Sequence, residues 1–392
     1  MINELLEQVL ISVLSLYGFD PSESKDLVKV LEKTEIINDL GSSYSEEEVL
    51  EQLNKSMQNH FLRPKGMERQ QLVDKFTPAQ KKELIEYLSP FVKEINSGAV
   101  IPNKILLGGA QNSVKERFDY LITFADTTQV VYSLGGKRDL WPIMEEYTST
   151  SLSKQLSSSK NISFEEAKKE VNTEMQKIFA KATILENQIN SNHYDISEVQ
   201  ELQSNFEKET NKARAEAIQF FTDTPYKFKW PTETEMMDYI INSNYKYNYQ
   251  NIDFMPTVDT PKKPNGARPD TLDSLKFMWE KYGNMLTEQA KKAPGDKVVI
   301  SLVTTQPYGH YQTQQASAAF HDKPVEIKTL AKKIENVEEM NLTNVLDSFA
   351  RTIYAGKELV KEKIKNSPDK NKWQNFVCAP IQISVSSSFK MK

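Results

Sequence analysis

The chain has 392 residues, 39% hydrophobic and 10% aromatic, enough for one large domain with appendages or for two domains. Its 49 basic and 54 acidic residues leave a net charge of −5 with no strongly basic region, which argues against a dedicated duplex-DNA binder. A single cysteine, Cys378, excludes an intramolecular disulfide and a cysteine-based zinc site and fits a reducing, cytoplasmic compartment.

Residues 9–17 are apolar, but Glu4 and Glu7 precede them and neither a basic stretch nor a small-residue cleavage site flanks them, against a signal peptide. No window reaches the ~18–20 uncharged apolar residues of a membrane-spanning helix. An amphipathic packing helix is expected instead. Residues 1–97 read as a helical region punctuated by caps at Asp20-Pro21-Ser22-Glu23, Ser45-Glu46-Glu47-Glu48 and Thr77-Pro78-Ala79-Gln80. Pro21 and Pro78 fall at the first helical position, where no N–H is missed. After Thr77, the residues Leu84, Tyr87, Leu88, Phe91 and Ile95 recur at helical spacing and predict a packing face.

The character changes near Gly98. Ile105-Leu106-Leu107 stops at Gly108-Gly109 and leads into a helical stretch over 113–125. Gln129-Val130-Val131-Tyr132-Ser133 then ends at Leu134-Gly135-Gly136. Two such runs joined by a helix predict a βαβ unit of a parallel sheet. Further strands are expected over 251–255, 297–304 and 324–327, with the nearly all-apolar 298–303 central and covered on both faces. Between strands two and three, 149–160 is Ser-rich and expected to be exposed. The cap Ser163-Phe164-Glu165-Glu166 then opens two charged helices, 163–190 and 196–221, joined by a turn at 190–193. The pattern predicts an α/β, Rossmann-like, mostly parallel sheet of about five strands, formed by 98–148 and 223–392. The N-terminal region 1–97 and an inserted helical hairpin, 149–222, accompany it; helices 163–221 offer a face for a protein partner.

Backbone N–H groups at a strand-to-helix turn favour anions, and glycine lets a ligand approach closely. Gly108, Gly109, Gly135 and Gly136 occupy two such turns, with Lys137 and Arg138 after the second and Arg117 in the helix after the first. Thr304-Thr305-Gln306-Pro307-Tyr308-Gly309-His310 follows the most apolar strand as a polar loop, and His310 has the chemistry of a general acid or base. Thr232-Glu233-Thr234-Glu235 and Arg268-Pro269-Asp270-Thr271-Leu272-Asp273 read as helix N-termini. His60, His193 and His321 lack metal-ligand spacing, so no metal is expected, and no nucleophile elbow occurs.

Taken in order, Ile105-Leu106-Leu107-Gly108-Gly109 with Arg117, Ser133-Leu134-Gly135-Gly136, Glu233-Thr234-Glu235-Met236-Met237, Asp270-Thr271 and Val303-Thr304-Thr305-Gln306-Pro307-Tyr308 resemble the bacterial YdcF/SanA-like family over 99–148 and 225–330. The sequence departs from that pattern at Leu134, which interrupts Ser-Gly-Gly, and at Asp273-Ser274, where Glu-Asn is usual. The arginine expected after His310 is absent, with Gln312 or Gln314 in its vicinity. The resemblance implies a Rossmann-like fold with a polar pocket, and S-adenosylmethionine or another nucleotide-like ligand as a cofactor class. The function expected is binding of a small phosphorylated or nucleotide-like anion at the carboxyl ends of the sheet. The four glycines and Ser133 would cradle it and Arg117, Lys137 and Arg138 would supply charge. Glu235 and Thr271 would orient polar groups, while Thr305, Gln306, Tyr308 and His310 would close the pocket. A catalytic version is a hydrolase or transferase with His310 or Glu235 as proton carrier. The alternative is a non-catalytic interaction or effector protein that uses its helical additions.

Overall fold

The structure, a computed structural model, describes residues 2–15, 19–40, 45–62, 76–124, 128–141, 145–190, 196–223, 227–266 and 268–365. Cys378, His193 and the remainder of the turn expected at 191–193 lie outside these residues. In chain order the helices α1 (Ile2–Ser15), α2 (Pro21–Lys33), α3 (Glu46–Phe61) and α4 (Pro78–Ile85) come first. Strand β1 (Asn103–Leu107), helix α5 (Gln111–Ile122) and strand β2 (Gln129–Gly136) follow. Three helices, α6 (Glu146–Lys160), α7 (Phe164–Asn190) and α8 (Ile196–Thr222), precede α9 (Glu233–Ile240) and the short strands β3 (Ile252–Phe254) and β4 (Val258–Thr260). The chain continues through α10 (Thr271–Ala290), β5 (Val298–Thr305), α11 (Gly309–Ala319), β6 (Val325–Lys332) and α12 (Leu342–Lys365). Among the described residues, no helix is long and apolar enough to cross a membrane.

Contacts divide the chain into two compact units. The first is helical and joins α1–α4 and the residues to Phe91 with α12. Leu6, Val9, Leu10 and Val13 of α1, Leu50 and Leu53 of α3, and Leu346, Phe349 and Ile353 of α12 are buried in it. Phe91 sets its ring 5.6 Å from that of Phe19 and 5.5 Å from that of Phe349. α12, grouped by sequence order with the sheet, belongs to this helical unit because its apolar stripe packs against α1 and α3. The helix after Thr77 also stops earlier than its spacing predicts. It ends at Ile85, and a short 3₁₀ turn spans Ser89–Phe91, where Pro90 has no N–H to continue an α-helix.

The second unit, Val92–Asn341, is the α/β part. Its sheet runs β3-β2-β1-β5-β6, with β4 also paired to β2, and every strand pair is parallel. The registers Ile105↔Tyr132 and Ile105↔Leu302 place the two glycine-closed strands side by side and β1 at the centre. One face carries Ile105, Leu107, Tyr132 and Leu302 under α10 and α11. The other carries Leu106, Val131 and Val303 under α5 and α9. This is the expected Rossmann-like, mostly parallel sheet with helices on both faces.

One charge sits inside it. Lys104 of β1 is 0% exposed, and its Nζ donates to the carbonyls of Gly98 at 2.6 Å and Ala99 at 2.8 Å. Burial lowers its pKa to about 8.

The Ser-rich stretch is not an exposed connection, as its composition predicts, but helix α6. Leu152 and Leu156, four residues apart, bury one stripe in a cluster with Val171, Phe179, Ala217 and Phe221 of the long helices. Ser153 satisfies its hydroxyl on Ser149 O at 2.6 Å, so serine costs the helix little here. Phe228 and Trp230, on the segment returning to the sheet, complete the cluster.

Candidate functional site

Both glycine turns stand at carboxyl ends of parallel strands, and their glycines are explained by close approach. Among the described residues only Gly266 and Gly295 are glycines with positive φ. A Cβ built on Gly108 would stand 2.1 Å from Glu233 Oε1 and 2.5 Å from Leu134 O. On Gly135 it would meet Thr234 Cα at 2.8 Å, and on Gly136 Pro269 Cγ at 2.8 Å. The first residues of α9 therefore seat on the ends of β1 and β2 from one face, and Pro269 seats from the other. Glu233 brings its carboxylate to the place that the glycine pattern reserves for a ligand.

The charges around this contact are largely matched within the chain. Arg138 donates from Nε to Glu233 Oε2 at 3.3 Å, and from Nη2 to Glu145 Oε1 and to Gly109 O, each at 3.0 Å. Burial pushes the Glu145 carboxyl above its ordinary range, against the opposing pull of Arg138 and of the Trp141 N–H. Arg117 directs Nη1 to Leu107 O at 2.8 Å and Gly108 O at 2.6 Å, closing the end of β1. Ser133 is fully buried within β2. Lys137 points to Asp259 at 3.6 Å, with both side chains well exposed.

The other expected residues are placed separately. Glu235 closes the cap of α9 through the Thr232 N–H at 2.9 Å and pairs with Lys229 at 2.5 Å. Burial raises its carboxyl, but Lys229 and the Thr232 bonds outweigh burial and hold it below the ordinary value. Thr271 is the first residue of α10, behind the Asp270 cap. At the end of β5, Thr305 O accepts from Tyr308 N at 3.1 Å across a cis Gln306-Pro307 peptide, and Gln306 Nε2 donates to Lys93 O at 2.8 Å. His310 lies in the first turn of α11, half-buried.

A concave feature lies beside β2 and β4. A cavity of 310 Å³ is lined by Arg138, Asp139, Arg214, Ile218, Lys262, Gly266 and Arg268. Of these, the sequence pattern singles out Arg138 as a ligand residue, while Thr271, Thr305, Gln306, Tyr308, His310 and Glu235 are not on its described wall. The wall is firmly built. Arg138 O accepts from Glu233 N at 3.0 Å, Leu140 N donates to Pro231 O at 3.1 Å, and Trp230 Nε1 donates to Leu140 O at 3.0 Å. Trp141 N adds a 2.7 Å bond to Glu145 Oε2. Helix α8 delivers Arg214, whose Nη2 reaches Asp139 O at 2.7 Å and whose guanidinium covers the Trp141 ring at 4.5 Å. The loop after β4 delivers Lys262, 2.9 Å from Asp139 Oδ2, and then turns at Gly266, whose φ of 77° suits glycine.

Arg214 escapes a reading by sequence because it lies in a charged helix that looks solvated. Lys262 and Arg268 flank a Pro264-Asn265-Gly266 turn, and that basic turn is the signal that could have found them. Among the described residues, no group of His, Cys, Asp and Glu gathers to hold a metal ion. No protein-family model, curated protein or solved structure matches this chain, which leaves the chemistry of the cavity as the guide to function.

Proposed function

We propose that the sheet unit binds a small phosphorylated ligand beside the carboxyl ends of β2 and β4. One observation carries this reading: Arg138, Arg214, Lys262 and Arg268 line the same cavity against a single carboxylate, Asp139. Guanidinium groups present planar forks that match phosphate oxygens in pairs, and a pinned wall spends little entropy on ordering. The catalytic version loses its expected support here, since Glu235 is committed to its cap and to Lys229 and His310 is not on the cavity's described wall. The resemblance to YdcF/SanA-like domains stands beside this as a proposal, supported by the order of the motifs along the sheet.

The test is thermal unfolding of the full chain with phosphate, sugar phosphates and nucleotides. Ligand at a hundred times Kd stabilises by about 2.7 kcal/mol, and Arg268→Ala should abolish most of the shift. A chain that responds to none of these compounds defeats the proposal. A non-catalytic interaction protein is the second reading, favoured by Glu233 filling the β1 turn and by the exposed Ile184 and Phe220 on α7 and α8. It predicts no phosphate response.

A further inference from the structure

Building on the phosphate reading of the cavity, we propose that its occupant is a compact, multiply charged anion, a diphosphate group recognised without an attached base. The wall carries four cationic side chains and one carboxylate. Behind Arg138 lie Glu145 and Glu233, which already take up part of its charge. The cations arrive from three separate parts of the chain: Arg138 after β2, Arg214 on α8, and Lys262 with Arg268 after β4. Two linked phosphoryl groups offer twice the terminal oxygens of one with which to engage all three segments at once. Lys262 can join without leaving Asp139, because an ammonium has three N–H donors.

The same wall gives a nucleobase little to bind. Its described nonpolar contributions are Ile218 and Gly266, and no described lining residue has an aromatic ring. One ring contact of a lining residue runs the other way: the face of Trp141 is covered by the Arg214 guanidinium at 4.5 Å. Base stacking on a ring is worth about 1–3 kcal/mol, and no described lining residue offers it. S-adenosylmethionine fits worse still, because its sulfonium would enter a cavity whose charge is already positive. This narrows the ligand class from nucleotide-like to the phosphate-rich part alone.

Calorimetric titration of the full-length protein with inorganic phosphate, inorganic diphosphate, adenosine diphosphate, adenosine and S-adenosylmethionine tests this. Diphosphate should bind at least about tenfold tighter than phosphate, a difference of about 1.4 kcal/mol. Adenosine diphosphate should bind no tighter than inorganic diphosphate, and adenosine and S-adenosylmethionine should not bind. Arg268→Ala and Arg214→Lys, each checked for a native unfolding transition, should weaken diphosphate by about tenfold or more. Lys291→Ala, a surface change at the end of α10, should leave the affinity unchanged. Equal affinity for phosphate and diphosphate would overturn the inference, as would adenosine diphosphate binding about tenfold tighter than inorganic diphosphate. In those cases the phosphate site itself survives. Failure of every anion to bind overturns both.

Discussion

Glu233 Oε1 lies 2.1 Å from the point where a Cβ on Gly108 would stand, so the end of β1 and the start of α9 share one volume. The other oxygen of the same carboxylate takes Arg138 Nε at 3.3 Å. A backbone position just past the end of the central strand is thereby linked, through one side chain, to the wall of the basic cavity.

Gly108→Ala should therefore displace Glu233 and cost about 1–3 kcal/mol, the usual range for overpacking a tight interior site. Gly266→Ala is the comparison, because no atom lies within 4 Å of its Cβ position and only its φ of 77° resists a side chain. That strain should cost about 1 kcal/mol. Urea unfolding of both variants checks the order, and a Gly108→Ala protein as stable as the parent would contradict the close approach.

Arg138→Met should be among the more damaging single changes in the sheet unit. Glu145 is 1% exposed, and removing its cation leaves a buried carboxylate to be protonated or hydrated, typically a loss of about 3–5 kcal/mol. Adding Glu145→Gln should recover part of that loss in a double-mutant cycle. Burial already raises Glu145, so the folded chain keeps its proton to higher pH than the unfolded chain. Its contribution to stability accordingly falls as pH rises through the folded pKa, and Glu145→Gln should remove that dependence.

Lys104 should produce the opposite slope at alkaline pH. The unfolded side chain keeps its proton to about pH 10.4, whereas the folded one titrates near 8. Between those values the unfolded chain binds more protons, so stability should climb with pH, by up to about 3 kcal/mol. The buried phenols Tyr120 and Tyr245 are shifted upward by burial and by their partners Glu94 and Asp119, and they pull the other way above pH ~10. Guanidinium unfolding between pH 7.5 and 9.5 should show the climb in the parent and a flatter curve in Lys104→Met. Parallel curves would rule out a lowered lysine pKa.

Removing α7 and α8 should harm the sheet unit rather than trim it. Leu152, Leu156, Phe228 and Trp230 lose the cover that Phe179, Ala217 and Phe221 provide, and the cavity loses Arg214. A chain with 164–222 replaced by a short linker should bind a hydrophobic dye strongly and unfold less cooperatively. A sharp unfolding transition and no dye binding would show that the helices are separable.

Strands β1, β2 and β5 are legible in the sequence because each is an apolar run ended by glycine or by hydroxyl residues, and a strand buried on both faces needs little else. Strand β4 is not, since Val258-Asp259-Thr260 is too short for a period and sits between Pro256 and Pro261. Composition hides α6, whose serines look like a linker until Leu152 and Leu156 find their partners. The cavity is harder again. Arg138, Arg214, Lys262 and Arg268 have no mutual spacing, and the fold alone brings them together; Arg138 follows a glycine turn and Lys262 and Arg268 flank a Pro-Asn-Gly turn, while nothing in the charged helix around Arg214 marks it. The glycine turns were readable as close approaches, but not that the approaching groups belong to the chain itself.

The outer side of β2 is paired not with one long strand but with two three-residue strands, β3 and β4, interrupted by Met255-Pro256-Thr257. At the opposite border, the chain at Ile95 bridges Ala331 of β6, and Ser97 and Gly98 bond Thr329 O at 3.1 and 2.9 Å. Among the described residues, neither border presents a long, fully continuous row of open backbone groups on which a second chain could add a strand. A sheet with a nearly continuous apolar β5 beside its central strand thus meets a second chain with a broken border on one side and a partly covered one on the other, a form of protection against edge-to-edge pairing.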